Sequence, residues 1–141
     1  MVSLDVLLQD IVDSDIKLYL NFSCVEACTI EIRENYAIYA NIFACETIAD
    51  LQYMLMHEYG HCSTGCTHKV GSKYDLVEKH EYKANKFAML RYLPPCEFEE
   101  AFANGYTETW ELAEWFNIPE KFIVKTLGYY KENRLIKGEI L

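Results

Sequence analysis

His57-Glu58-Tyr59-Gly60-His61 constrains the fold of this chain more than any other stretch. Two imidazoles can share one metal ion only if the backbone brings them to the same side. A spacing of four does this in an α-helix, where residues i and i+4 stack one turn apart. The pattern is H-E-x-x-H, in which each histidine offers one ring nitrogen to zinc and the intervening glutamate reaches the proton of a metal-bound water. A chain organised around it needs a helix over the motif and a second element that delivers a third ligand. The chemistry indicated is metal-dependent hydrolysis, with a peptide bond as the leading target.

The helix has its own signals. Thr47-Ile48-Ala49-Asp50 reads as an N-terminal cap, hydroxyl first and carboxylate three residues later. Ile48, Leu51 and Leu55 recur at helical spacing, and Tyr59 extends that apolar stripe by a turn. Gly60 is unusual, because glycine inside a helix costs about 1 kcal/mol relative to alanine. Either a neighbouring element presses against it, or it loosens the helix ahead of Ser63-Thr64-Gly65.

A third ligand must be His, Cys, Asp or Glu, and Glu81 lies twenty positions after His61. Tyr74 to Leu93 reads as a second helix: Leu76, Lys83, Phe87 and Leu90, and then Ala84, Ala88 and Leu93, fall at helical spacing before Pro94-Pro95 stops it. Glu81 and Asn85 share a face, so Glu81 can bind the metal while Asn85 hydrogen-bonds a ligand histidine and fixes its tautomer. Taken alone, Glu81 is one more carboxylate beside Glu78 and Lys79; the upstream motif favours the ligand role. Candidates to stabilise a developing oxyanion are His68, His80 and Tyr74, with Tyr59 and Tyr82 also in range, and the residues do not select among them. A rival structural zinc knuckle can be drawn from His61, Cys62, Cys66 and His68, but it leaves His57 and Glu58 without a purpose.

The run His57-Glu58-Tyr59-Gly60-His61-Cys62, Thr64-Gly65 and Glu81-Tyr82-Lys83-Ala84-Asn85-Lys86-Phe87-Ala88 resembles the ImmA/IrrE family of metallopeptidases, its small phage and mobile-element members in particular. Leu93-Pro94, Glu111-Leu112-Ala113-Glu114-Trp115-Phe116 and Ile118-Pro119-Glu120 fit the same pattern, and Tyr36-Ala37-Ile38-Tyr39-Ala40-Asn41 resembles the strand that precedes the motif helix. The likeness runs from about Cys28 to Tyr130. It implies a gluzincin-type zinc site with His57, His61 and Glu81 as ligands and Glu58 as base. It also implies a protein substrate, a helix-turn-helix transcriptional repressor of the same mobile element. An alternative within the resemblance is an anti-repressor that keeps the zinc fold but inactivates its partner by binding, without cleavage.

The remaining sequence suits a compact α+β domain, helix-dominated and zincin-like, with a small sheet beside the motif helix. With 51% hydrophobic residues, 141 residues support one domain with a real core. Residues from about 1 to 45 form an N-terminal helix (Leu4 to Val12, with Leu4, Leu7, Leu8, Ile11 and Val12 on its apolar face) and the sheet. Its strands are expected at Ile16 to Asn21, Thr29 to Arg33 and Tyr36 to Asn41, with Glu34-Asn35 as the last turn. Residues 46–93 hold the zinc-site helices, and residues 94–141 three shorter helices divided at Pro94-Pro95, Gly105 and Asn117-Pro119.

No stretch is apolar for the eighteen residues that a membrane span needs, and the N-terminus has no basic segment of a secretory signal, so a cytoplasmic location with thiols reduced is expected. Twenty-two acids against thirteen bases, net −9, oppose direct nucleic-acid binding. Thr107 to Lys131, although it has a helix-turn-helix look, carries Glu108, Glu111 and Glu114 and reads as a packed helical hairpin. An acidic surface suits a basic partner such as a DNA-binding repressor.

Overall fold

The computed structural model describes residues 1–21, 27–67 and 72–137. The chain starts with α1 (Leu4–Asp13), followed by β1 (Lys17–Tyr19), β2 (Ala27–Ile32) and β3 (Asn35–Ala40). A 3-10 turn (Ile42–Ala44) leads to α2 (Ile48–Thr64) and α3 (Tyr74–Tyr92), and α4 (Pro95–Ala103), α5 (Thr109–Phe116) and α6 (Glu120–Glu132) complete the order. The α+β architecture and the divisions between the last three helices agree with the sequence. No helix among the described residues is long and apolar enough to cross a membrane.

The sheet is mixed, in the order β1-β3-β2: β3 pairs parallel with β1 and antiparallel with β2. Its turn differs from expectation. Ile32 pairs with Asn35, so the two loop residues are Arg33 and Glu34, and both take positive φ (51° and 66°). A two-residue hairpin loop needs that left-handed geometry to match the twist of its strands, and this moves the turn one residue earlier than the composition of Glu34-Asn35 suggests. The first strand is also shorter than the apolar run around it: the Ile16 amide bonds back to the Ile11 carbonyl, and pairing with β3 begins at Lys17.

Two apolar clusters meet along α2. On the sheet side Ile11, Ile16, Ile38, Leu55 and Cys62 are buried, with Leu4, Leu8, Leu18, Tyr36 and Leu51 packed around them. On the other side Met56 joins a larger core drawn from α1 and α3 to α6, centred on Phe98, Phe116, Phe122, Leu127 and Tyr130. Tyr59 packs against both. The expected stripes need trimming. Val12 and Ile48 face solvent, Ile48 as the first residue of α2. Of α3, Leu76, Lys83 and Leu90 are exposed and Phe87 is half-buried. The buried stripe is Ala84, Ala88, Met89 and Tyr92, small residues first, because α2 lies too close for anything larger there.

Polar contacts tie the helices into this arrangement. Thr47 and Asp50 close the capping box that starts α2. Asp10 of α1 accepts from both Arg91 and the Tyr92 hydroxyl at the end of α3. Buried Gln52 donates to the Asn117 carbonyl at 2.7 Å and so joins α2 to the α5–α6 turn. That turn makes a helical hairpin, as expected, and Glu111 serves it by accepting from the Thr107 and Glu108 amides at the start of α5.

The Tyr130 hydroxyl lies 3.0 Å from the Met89 carbonyl, which already accepts from the Leu93 amide, and 2.7 Å from the Leu93 carbonyl just past the end of α3. Tyr130→Phe keeps the ring and its burial but leaves the Leu93 carbonyl without this donor. It should lower the stability of the fold by about 1–3 kcal/mol, read from the urea unfolding midpoint.

Candidate metal centre

Each side chain of the site is placed by the packing of α2 on α3. A Cβ built on Gly60 would lie 2.5 Å from the Ala84 carbonyl oxygen and 3.1 Å from its Cα. The close-packing reading of Gly60 therefore holds: no side chain fits between these helices at that level. Glu81 and Asn85 flank Ala84 on the same face of α3, and His57 and His61 flank Gly60 on α2. The closeness of the backbones at Gly60 brings the two pairs within reach of one another.

The result is a group of three donors. His57 Nε2 lies 2.8 Å from Glu81 Oε2, His61 Nε2 lies 3.1 Å from Glu81 Oε1, and the two Nε2 atoms are 3.2 Å apart. A tetrahedral zinc ion bonded at about 2.0–2.2 Å holds its ligands about 3.3 Å from one another, so these separations fit a single small ion. Among the described residues this is the one group of three or more His, Cys, Asp or Glu side chains arranged to hold a metal.

The histidines are oriented from behind. His61 Nδ1 lies 2.7 Å from the Cys66 carbonyl oxygen. A carbonyl can only accept, so Nδ1 carries the proton and the neutral ring presents its lone pair at Nε2, toward the other donors. His57 Nδ1 makes the same contact with Asn85 Oδ1 at 2.9 Å, in the role expected for Asn85. Burial pulls the His57 pKa down, but the adjoining Glu81 carboxylate, with Asn85 and Glu58, outweighs it, and the net displacement is upward. A proton and a metal ion compete for the same Nε2 lone pair.

Glu58 is buried, with 8% of its surface exposed, and it lines the floor of a cleft between α2 and β2. Its Oε2 accepts from the Thr29 hydroxyl at 2.5 Å. Two cavities meet at His57 and Glu58 and share Ala27. One, of about 420 Å³, contains Thr29, His61, Thr67 and Glu81; the other, of about 520 Å³, contains Cys45, Glu46, Tyr53, Met54 and Lys121.

The other candidates are not brought to this cleft. Tyr74 is 72% exposed and its hydroxyl donates to Glu78 one turn along α3. His80 is half-buried and lines neither cavity, and Tyr82 stacks edge-on against Tyr129. Tyr59 hydrogen-bonds Ser14. His68 lies outside the described residues. The rival knuckle also loses its members: Cys62 packs into the sheet-side core, and the Cys66 thiol turns to the Thr64 carbonyl. Burial, partly offset by a hydrogen bond with Thr29, pushes the Cys62 thiol up to about 12, so it stays protonated. None of the described cysteines is in a disulfide.

Thr29 and the Cys66 carbonyl are the parts of the site that sequence reasoning does not find. A threonine in a strand is ordinary, and a main-chain acceptor has no side-chain signature. No protein-family model, curated protein or solved structure matches the chain.

Two outcomes check this centre. Glu81→Ala should abolish stoichiometric zinc retention by the dialysed protein, measured by metal analysis, while unchanged metal content would remove Glu81 from the ligand set. Gly60→Ala drives a methyl into the Ala84 main chain and should cost about 1–3 kcal/mol in thermal unfolding, with zinc affinity falling alongside because the two ligand-bearing helices must separate.

Proposed function

We propose that the chain is a zinc-dependent endopeptidase of the ImmA/IrrE type, with a zincin-like fold, that cuts a protein substrate in the cytoplasm. The observation that carries this reading is the joint geometry of His57, His61 and Glu81 with Glu58 beside them in the same cleft. Three protein ligands leave a fourth position for water, which is the ligand count of catalytic rather than structural zinc sites. Zinc held there would supply a water of pKa about 7 and would polarise the carbonyl under attack.

The chain's own residues do the rest. Glu58 takes the proton from the water as the C–O bond forms, and passes it to the amine nitrogen as the peptide C–N bond breaks. Water is thereby added across the bond and Glu58 returns to its carboxylate form. The cleft extends to both sides of Glu58, so a polypeptide can continue past the scissile bond in both directions. Strand β2 edges the sheet next to it, and an edge strand offers main-chain donors and acceptors to an extended segment.

The resemblance supports a helix-turn-helix repressor as substrate, and the net charge of −9 suits such a basic DNA-binding partner. Mixing the zinc-loaded protein with the candidate repressor should give fragments that chelator suppresses. Glu58→Gln should retain zinc and fold but lower the cleavage rate by at least about 100-fold, the scale of general-base catalysis. A stable complex with no fragments would instead identify a non-cleaving anti-repressor.

A further inference from the structure

The proposed peptidase leaves one requirement unassigned: something must hold the Glu58 carboxylate in place. A glutamate side chain has three rotatable bonds, and this one projects from α2 into a cleft close to a second carboxylate, that of Glu81. Among the described residues, Thr29 is the one hydrogen-bond donor to the Glu58 side chain. We propose that Thr29 is a positioning residue of the site, its hydroxyl fixing Glu58 Oε2 against β2 so that Oε1 is left to handle the proton of the reacting water. This inference rests on the peptidase reading for its consequence, but the contact itself can be tested without it.

Several features make the hydroxyl suited to that task. Thr29 lies mid-strand, paired with Ile38, whose side chain is fully buried against the sheet face of α2. The strand therefore cannot shift without disturbing the core. Threonine is branched at Cβ, so few χ1 positions are open to it and its hydroxyl direction follows the backbone. Oγ1 also lies 3.4 Å from the Glu58 main-chain oxygen, so it sits over the residue it holds rather than reaching it from a distance.

The direction of the hydrogen bond follows from counting protons. A hydroxyl has one proton to give and two lone pairs. An ionised carboxylate only accepts, so the Thr29 proton goes to Glu58 Oε2. Valine has the same branched shape and neither capability; serine keeps the hydroxyl and loses only the methyl.

The test compares zinc-loaded wild type, Thr29→Val, Thr29→Ala and Thr29→Ser, with two readouts. The first is the side-chain carboxyl 13C resonance of Glu58 in glutamate-labelled protein, assigned by its disappearance in Glu58→Gln. It should move in the valine and alanine variants and stay near the wild-type position in the serine variant. The second is steady-state cleavage: the valine and alanine variants should lose about 10–100-fold in kcat, with KM, zinc content and thermal midpoint close to wild type, and serine should restore most of the rate. Alanine covers the case in which valine disturbs packing near Cys62. An unmoved resonance, or full kcat without the hydroxyl, overturns the proposal. So does a loss of rate that merely follows a fall in thermal midpoint. If wild type cuts nothing, the peptidase reading fails on that result alone, while the resonance still decides whether Thr29 holds the carboxylate.

Discussion

The contact between Gly60 and the main chain of Ala84 is the constraint from which the rest of this molecule is arranged. Helices bearing ordinary side chains pack with their axes about 8–10 Å apart. A metal centre that takes ligands from two helices needs donor atoms about 3.3 Å apart, reached by side chains of fixed length. Removing the side chain at 60 and keeping it to a methyl at 84 sets α2 and α3 at the distance where two imidazoles and a carboxylate converge. The helix propensity lost at Gly60, about 1 kcal/mol, is small beside the overlap that a methyl there would create.

This also explains which parts of the chain could be read without coordinates. His57, Glu58, His61, Glu81 and Asn85 share a regular period, and a helix converts period into direction, so their convergence was legible. The Thr47–Asp50 cap and the Pro94-Pro95 stop were legible for the same reason, being local chemistry. The hairpin turn was displaced by one residue because backbone twist, not composition, selects which residues adopt positive φ. The stripe of α3 was misjudged toward its larger residues, since hydrophobic spacing alone does not reveal how near the neighbouring helix comes. Thr29 was invisible because its role depends on a sheet placed over α2, a relationship spanning 29 positions with no repeating signal.

The site divides its tasks between the two clusters that α2 joins. The larger core fixes α3, through Ala88, Met89 and Tyr92, and hence the Glu81 carboxylate. The smaller one fixes the sheet, through Ile38 and Leu55, and hence the hydroxyl that meets Glu58. The three-donor group and the Glu58 carboxylate are therefore supported by different parts of the fold, with Tyr59, inside the motif, packed against both.

The end of α2 has a consequence of its own. Gly65 takes a left-handed conformation (φ 63°) that turns the chain back, so that the amide of Cys66 reaches the His61 carbonyl and its own carbonyl receives the His61 ring proton. The stop signal of the helix thereby selects the tautomer of His61, one of the three clustered donors. Because the acceptor belongs to the main chain, position 66 can change its side chain without changing the acceptor, whereas position 65 carries the geometry on which it depends. Drift at one residue and intolerance at its neighbour would be two faces of the same backbone device.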